Sequence, residues 1–112
     1  MAVKQAIEVL PILKKLSKAR KKAIRKAILE KCPCKVYDVI SDISKNTLKG
    51  NIKMSPKNMK ALKLYKNDLR KMSKKISRQK IKNLLIQKGG FLPLLLTPAL
   101  RLMDLLVNER LS

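Results

Sequence analysis

Histidine and tryptophan are absent from the 112-residue chain, and the aromatics are Tyr37, Tyr65 and Phe91 alone. Without histidine there is no imidazole general base and no Cys/His zinc site. Scarce aromatics make the chain a poor candidate for the stacking platforms on which readers of single-stranded nucleic acid lean. Acidic residues are few, 7 against 28 Lys+Arg. The two cysteines stand as Cys32-Pro33-Cys34 with no second pair. A zinc site needs four ligands, so two reduced thiols are expected here, which fits synthesis inside the cell. No catalytic nucleophile constellation and no glycine-rich phosphate loop is present, so the chain reads as a non-enzyme that needs no cofactor and no metal. Met1–Leu10 carries Glu8, and Lys14-Lys15 soon follow, so no signal peptide is expected. No uncharged apolar run reaches the length of about 18 residues that would suggest a membrane-spanning helix.

What is present is positive charge, and it is unevenly placed. Residues 1–90 hold 26 Lys+Arg against 5 Asp+Glu, whereas 91–112 hold Arg101 and Arg110 against Asp104 and Glu109. The net charge of +21 therefore lies upstream of Gly89-Gly90. This divides the chain into a basic helical region, 1–90, for nucleic acid, and an apolar C-terminal segment, 91–112. Of the basic residues 22 are lysine and 6 arginine. Lysine meets phosphate as a point charge, while arginine is the usual bidentate base reader, so the composition favours phosphate neutralisation blind to sequence.

Lys, Leu and Ile dominate, Gly totals 3, and β-branched alternation is missing, which predicts an all-α fold. Self-repulsion at this charge predicts several short basic amphipathic helices, loosely packed until counter-charge arrives. A short turn at 2–10 would place Val3, Ile7 and Leu10 on one side. Pro11 should open a helix to Lys31, with Leu13, Leu16, Arg20, Ala23, Ala27 and Glu30 in one stripe and Lys14, Lys15, Lys18, Lys21, Lys22, Arg25 and Lys26 covering the rest. Cys32-Pro33-Cys34 breaks it. A helix over 35–45 follows, with Val36, Val39, Ile40 and Ile43 on its apolar side; Asp38 and Asp42 read there as surface residues. Residues 46–51 form a turn-rich connection. Ser55-Pro56 caps a helix to Met72 or Ser73, and Ser77 caps another over 78–88, with Gly89 as its C′ residue. Thr97-Pro98 is a further cap-and-first-position pair, predicting a new helix to Arg110 with Leu102, Leu105, Leu106 and Val107 on its apolar sides. Arg101 and Asp104 are spaced to pair on that helix.

The densest basic stretch contains Lys60, Lys63, Lys66, Arg70, Lys71, Lys74, Lys75, Arg78, Lys80 and Lys82, with Asp68 its only acid. These are the expected DNA-binding residues, with the 14–26 stretch as the alternative surface. Phe91, Leu92, Leu94, Leu95 and Leu96 have two readings: a membrane or partner contact, or a segment buried against the upstream helices.

Three stretches together resemble a known family: Thr47-Leu48-Lys49-Gly50-Asn51-Ile52, Leu64-Tyr65-Lys66-Asn67-Asp68-Leu69-Arg70, and Leu85-Ile86-Gln87-Lys88-Gly89-Gly90-Phe91-Leu92-Pro93-Leu94-Leu95. The family comprises small basic proteins of Maverick/Polinton elements and adintoviruses, which are similar to the adenovirus mu core protein, the precursor of protein X. The resemblance covers about half the chain, roughly residues 46–98, and its distinctive string is Gly-Gly-Phe-Leu-Pro. It implies a virion core protein that binds and condenses double-stranded DNA, located in the virion core and, during assembly, in the host nucleus. It also implies cleavage at Gly89-Gly90 by a viral cysteine protease. The chain departs from that pattern at Gln87, where such proteases favour Met, Ile or Leu. It also uses Lys where mu is Arg-rich, and it adds an N-terminal basic helix. Two further readings stand beside this one: a membrane-active protein bound to anionic lipid, and an RNA-binding basic protein. Capsid proteins are a further expected partner, and no small-molecule substrate is expected.

Overall fold

Why the helices break where they do is best seen from which side chains each one must bury. The structure, a computed structural model, describes residues 3–74 and 76–111, with side chains for 6–74 and 76–105. Val3, Lys75, Leu106 and Val107 therefore lie outside the described side chains. The chain is all-α: α1 (Val3–Glu8), α2 (Leu10–Lys18), α3 (Lys22–Lys31), α4 (Lys35–Leu48), α5 (Pro56–Lys63), α6 (Lys66–Ser73), α7 (Arg78–Lys88), a 3-10 turn (Gly89–Phe91) and α8 (Leu92–Leu111).

The expected helix over 11–31 is two helices. Ala19 and Lys21 are extended between them, although the sequence there offers neither glycine nor proline. The break resets the helical register. Leu13 and Leu16 of α2 are buried, but on α3 the buried residues are Leu29 and Arg25, while Arg20, Ala23, Ala27 and Glu30 of the expected stripe are exposed. One straight helix would have had to follow α8 and α7 at once; α2 packs on α8 and α3 packs on α7.

The helix over 56–73 is also divided. Leu64 and Tyr65 make a 3-10-like step, with Tyr65 N–H donating to the Leu62 carbonyl at 2.9 Å. The step sends α5 onto α8 and α6 onto α4, and it sets the Tyr65 ring 5.2 Å from that of Phe91. Its cost is visible at Leu64, which is turned outward and 83% exposed.

The caps expected at Ser55 and Ser77 are present. Each hydroxyl accepts the backbone N–H three residues on, from Asn58 and Lys80, at 3.2 Å. Helix α4 runs on to Leu48 and ends in a Schellman turn. Asn51 N–H donates to the Asn46 carbonyl and Gly50 N–H to that of Thr47, with Gly50 at φ +77°. Glycine is the residue that reaches this φ without a Cβ clash. Thr97-Pro98 starts no helix, contrary to expectation. Pro98 lies inside α8, and the Thr97 hydroxyl donates back to the Pro93 carbonyl at 2.7 Å. Pro93 occupies the first turn instead, where a missing N–H costs nothing.

Helices α4 and α8 are the centre: α4 carries α6, α7 and α1, and α8 carries α2, α5 and α1. One core cluster runs from Ala6 to Met103 and includes residues of every helix. The charge boundary at residue 90 is therefore not a packing boundary, and the division into 1–90 and 91–112 describes charge only. The expectation of loose packing is likewise corrected. The radius of gyration is 13.1 Å, against about 13 Å for a compact domain of this length. Repulsion among exposed cations is spread over the surface and weakened by water and salt, while the apolar side chains meet in one place.

Candidate nucleic-acid interface

Helices α6 and α7 flank α4, and their core residues fix what is left outside. Leu69 and Met72 face inward on α6, and Ile81, Leu85 and Ile86 on α7. That leaves Lys66, Arg70, Lys71 and Lys74 exposed on or just after α6, Lys60 and Lys63 exposed on α5, and Lys80 exposed on α7; Lys82 is half-buried. Lys75 lies outside the described residues.

Arg78 differs from the others. Its Nε donates to Asp38 Oδ1 at 3.0 Å and its Nη2 to Oδ2 at 2.5 Å, a bidentate pair that ties α7 to α4. Hydrogen bonding and charge from Asp38 hold this guanidinium above its ordinary pKa. Its charge is partnered in an exposed pair, so among the expected site residues Arg78 is the one that would exchange a carboxylate for a phosphate.

The structure adds basic residues that sequence spacing did not group. Lys22 Nζ on α3 donates to Gln87 Oε1 on α7 at 3.1 Å, so the α3 lysines continue the α7 surface. Lys14, Lys18 and Arg20 meet Arg101 across the α2–α8 contact, in a shallow cleft that also holds Ser17, Thr97 and Asp104. Asp104 pairs there with Lys14 at 3.7 Å and not with Arg101. Nothing in the local sequence links Arg101 to α2; only the packing of α8 does.

Arg25 is the surprise within the basic set. Expected on the solvated face, it is 4% exposed. Its Nε donates to the Leu85 carbonyl at 2.8 Å and its Nη2 to that of Ile86 at 2.9 Å. These carbonyls belong to the last turn of α7, where intrahelical donors run out and the helix dipole favours a cation. Burial pulls the Arg25 pKa down from its ordinary value, although an arginine retains its proton. Gly89 is shaped by this contact: a Cβ there would sit 2.8 Å from Arg25 Nε, whereas one on Gly90 would meet nothing within 4 Å.

The glycine pair is thus no open hinge. Gly89 is buried in a 3-10 turn, and Phe91, which closes that turn, is 0% exposed. Proteolysis favours exposed, mobile loop tips; of this segment Gly90 is exposed, while Gly89 and Phe91 on either side of it are buried. Phe91, Leu92, Leu95 and Leu96 are fully buried, and Leu94 packs partly buried against them. Of the two readings of this segment, burial against the upstream helices is the one the fold shows. Six apolar side chains in a row would expose a large patch, and α1, α2, α4 and α5 supply apolar faces to cover it. Among the described residues, no helix is long and apolar enough to cross a membrane.

Cys32 is half-buried, with its Sγ 3.4 Å from the Leu29 carbonyl, and Cys34 is exposed. The Tyr37 hydroxyl donates to the same carbonyl, closing the Cys-Pro-Cys corner onto α3. Burial pushes both the Cys32 thiol and the Tyr37 phenol up from their ordinary pKa values. Among the described residues, no group of three or more His, Cys, Asp or Glu side chains converges as a metal site would require. No protein-family model, curated protein or solved structure matches the chain.

Proposed function

We propose that this protein binds double-stranded DNA without sequence specificity and condenses it, as a virion-core-type protein does. The observation that carries the reading is the excess of exposed, unbalanced cations on α5, α6 and α7: Lys60, Lys63, Lys66, Arg70, Lys71, Lys74 and Lys80, with few acids beside them. Such a surface gains affinity by releasing the counterions condensed on DNA. It carries little base-reading chemistry, because phosphate contacts position a protein without specifying sequence. The α3 lysines and the α2–α8 cleft extend positive charge beyond one helix pair, which suits the joining of neighbouring duplexes. Burial of the apolar segment 91–96 in the core favours this reading over a membrane-active one.

The test is a salt titration of duplex binding. Neutralising about 8 phosphates gives a slope of log K against log salt near −7. Lys60→Gln, Arg70→Gln, Lys71→Gln and Lys74→Gln together should flatten it by about 3–4 units. An unchanged slope would move the interface to α2 and α3. Tighter binding to RNA than to DNA duplexes of equal length would favour the RNA reading.

A further inference from the structure

An apolar groove lies among the lysines of α5 and α6. The loop after α4, with α5 and α6, lines this groove of ≈ 230 Å³. Its wall is apolar: Leu48, Ile52, Met54, Met59, Leu62 and Leu69. Met59 is 48% exposed within it. Thr47 lines the same groove, and its Oγ1 is buried without a hydrogen-bond partner in the chain. An unpaired buried hydroxyl is unfavourable.

Size and charge narrow the occupant. The groove is smaller than the roughly 300–1,000 Å³ of pockets that enclose a whole small molecule, so it suits one or two apolar side chains. Methionine walls adapt to such anchors. Lys63 and Lys66 complete the rim, and from Lys49 to Lys66 the chain carries Lys49, Lys53, Lys57 and Lys60 besides, with no acid. A second copy of a +21 chain would be repelled. We infer that this groove docks an acidic amphipathic helix of a partner protein, its apolar anchors between Met54, Met59 and Leu62 and its carboxylates on the surrounding lysines. The inference does not depend on the DNA reading.

The test uses the full chain and a synthetic acidic helix of about four turns, with Leu on one face and Glu on the other. A scrambled peptide of the same composition serves as control. The ordered peptide should bind about tenfold tighter than the scrambled one and shift the Met54 and Met59 methyl resonances. Met59→Lys separates the contributions, because it adds attraction for an acidic peptide while removing an apolar contact. It should weaken peptide binding about tenfold and leave duplex DNA binding at least as tight as in the wild type. Equal binding of both peptides, or equal or tighter peptide binding by Met59→Lys, would overturn the inference. A joint loss of peptide and DNA binding would also overturn it. So would methyl shifts produced by phosphatidylglycerol vesicles but not by the peptide.

Discussion

Helix α8 and helices α5–α7 use their side chains in opposite directions. From α8 and the turn before it, Phe91, Leu92, Leu95, Leu96, Ala99 and Met103 go wholly inward. From α5, α6 and α7, a few apolar residues go inward and a dense set of lysines goes outward. Burial follows what each side chain loses in water: a leucine gains by leaving it, while a lysine head is strongly hydrated and keeps it. Stability is therefore concentrated in α8 and its partners, and charge is free to serve binding on α5–α7. The buried Arg25–Gly89 contact joins the two regions.

The largest break in this comparison should come from Phe91→Ala. It removes a fully buried ring that meets Tyr65, and it should lower the unfolding free energy by about 3–5 kcal/mol in denaturant titration. A loss well below 1 kcal/mol would mean that the core does not rest on this segment.

Arg25→Ala should follow at about 2–3 kcal/mol, because it leaves the Leu85 and Ile86 carbonyls buried without a donor. Gly89→Ala should cost about 1–3 kcal/mol by pushing into the same guanidinium. Gly90→Ala should stay within about 0.5 kcal/mol. Equal effects at the two glycines would show that Arg25 does not shape the turn.

Smallest for stability should be the four-site Gln variant that flattens the salt slope. Its unfolding free energy should fall by no more than about 0.5 kcal/mol, and relief of self-repulsion favours a rise. A marked loss would show that those cations hold the fold together.

Much of the helical plan was legible in local signals. Ser55-Pro56 and Ser77 act through their own hydroxyls within one turn, so three or four residues suffice to read them. The breaks at Ala19–Lys21 and Leu64–Tyr65 carry no such mark. They arise because α2 and α3, and α5 and α6, bury against different helices far along the chain. Arg25 misled for the same reason: seven basic residues on one helix look alike until the C-terminus of α7 arrives beside one of them. Thr97-Pro98 matched a start signal, but the apolar residues on both sides belong to one continuous buried face, and burial outweighed the local preference.

The sequence by itself determined the all-α class, the serine caps, the lopsided charge and the want of histidine and tryptophan, because these depend on composition and on neighbours within a turn. Tertiary structure alone decided that the greasy segment is core, that Arg25 is buried and Arg78 meets Asp38, that Arg101 joins α2, and that an apolar groove opens beside the lysines. Each of these depends on which distant surface arrives to exclude water, and that is fixed only when all the apolar faces are satisfied together.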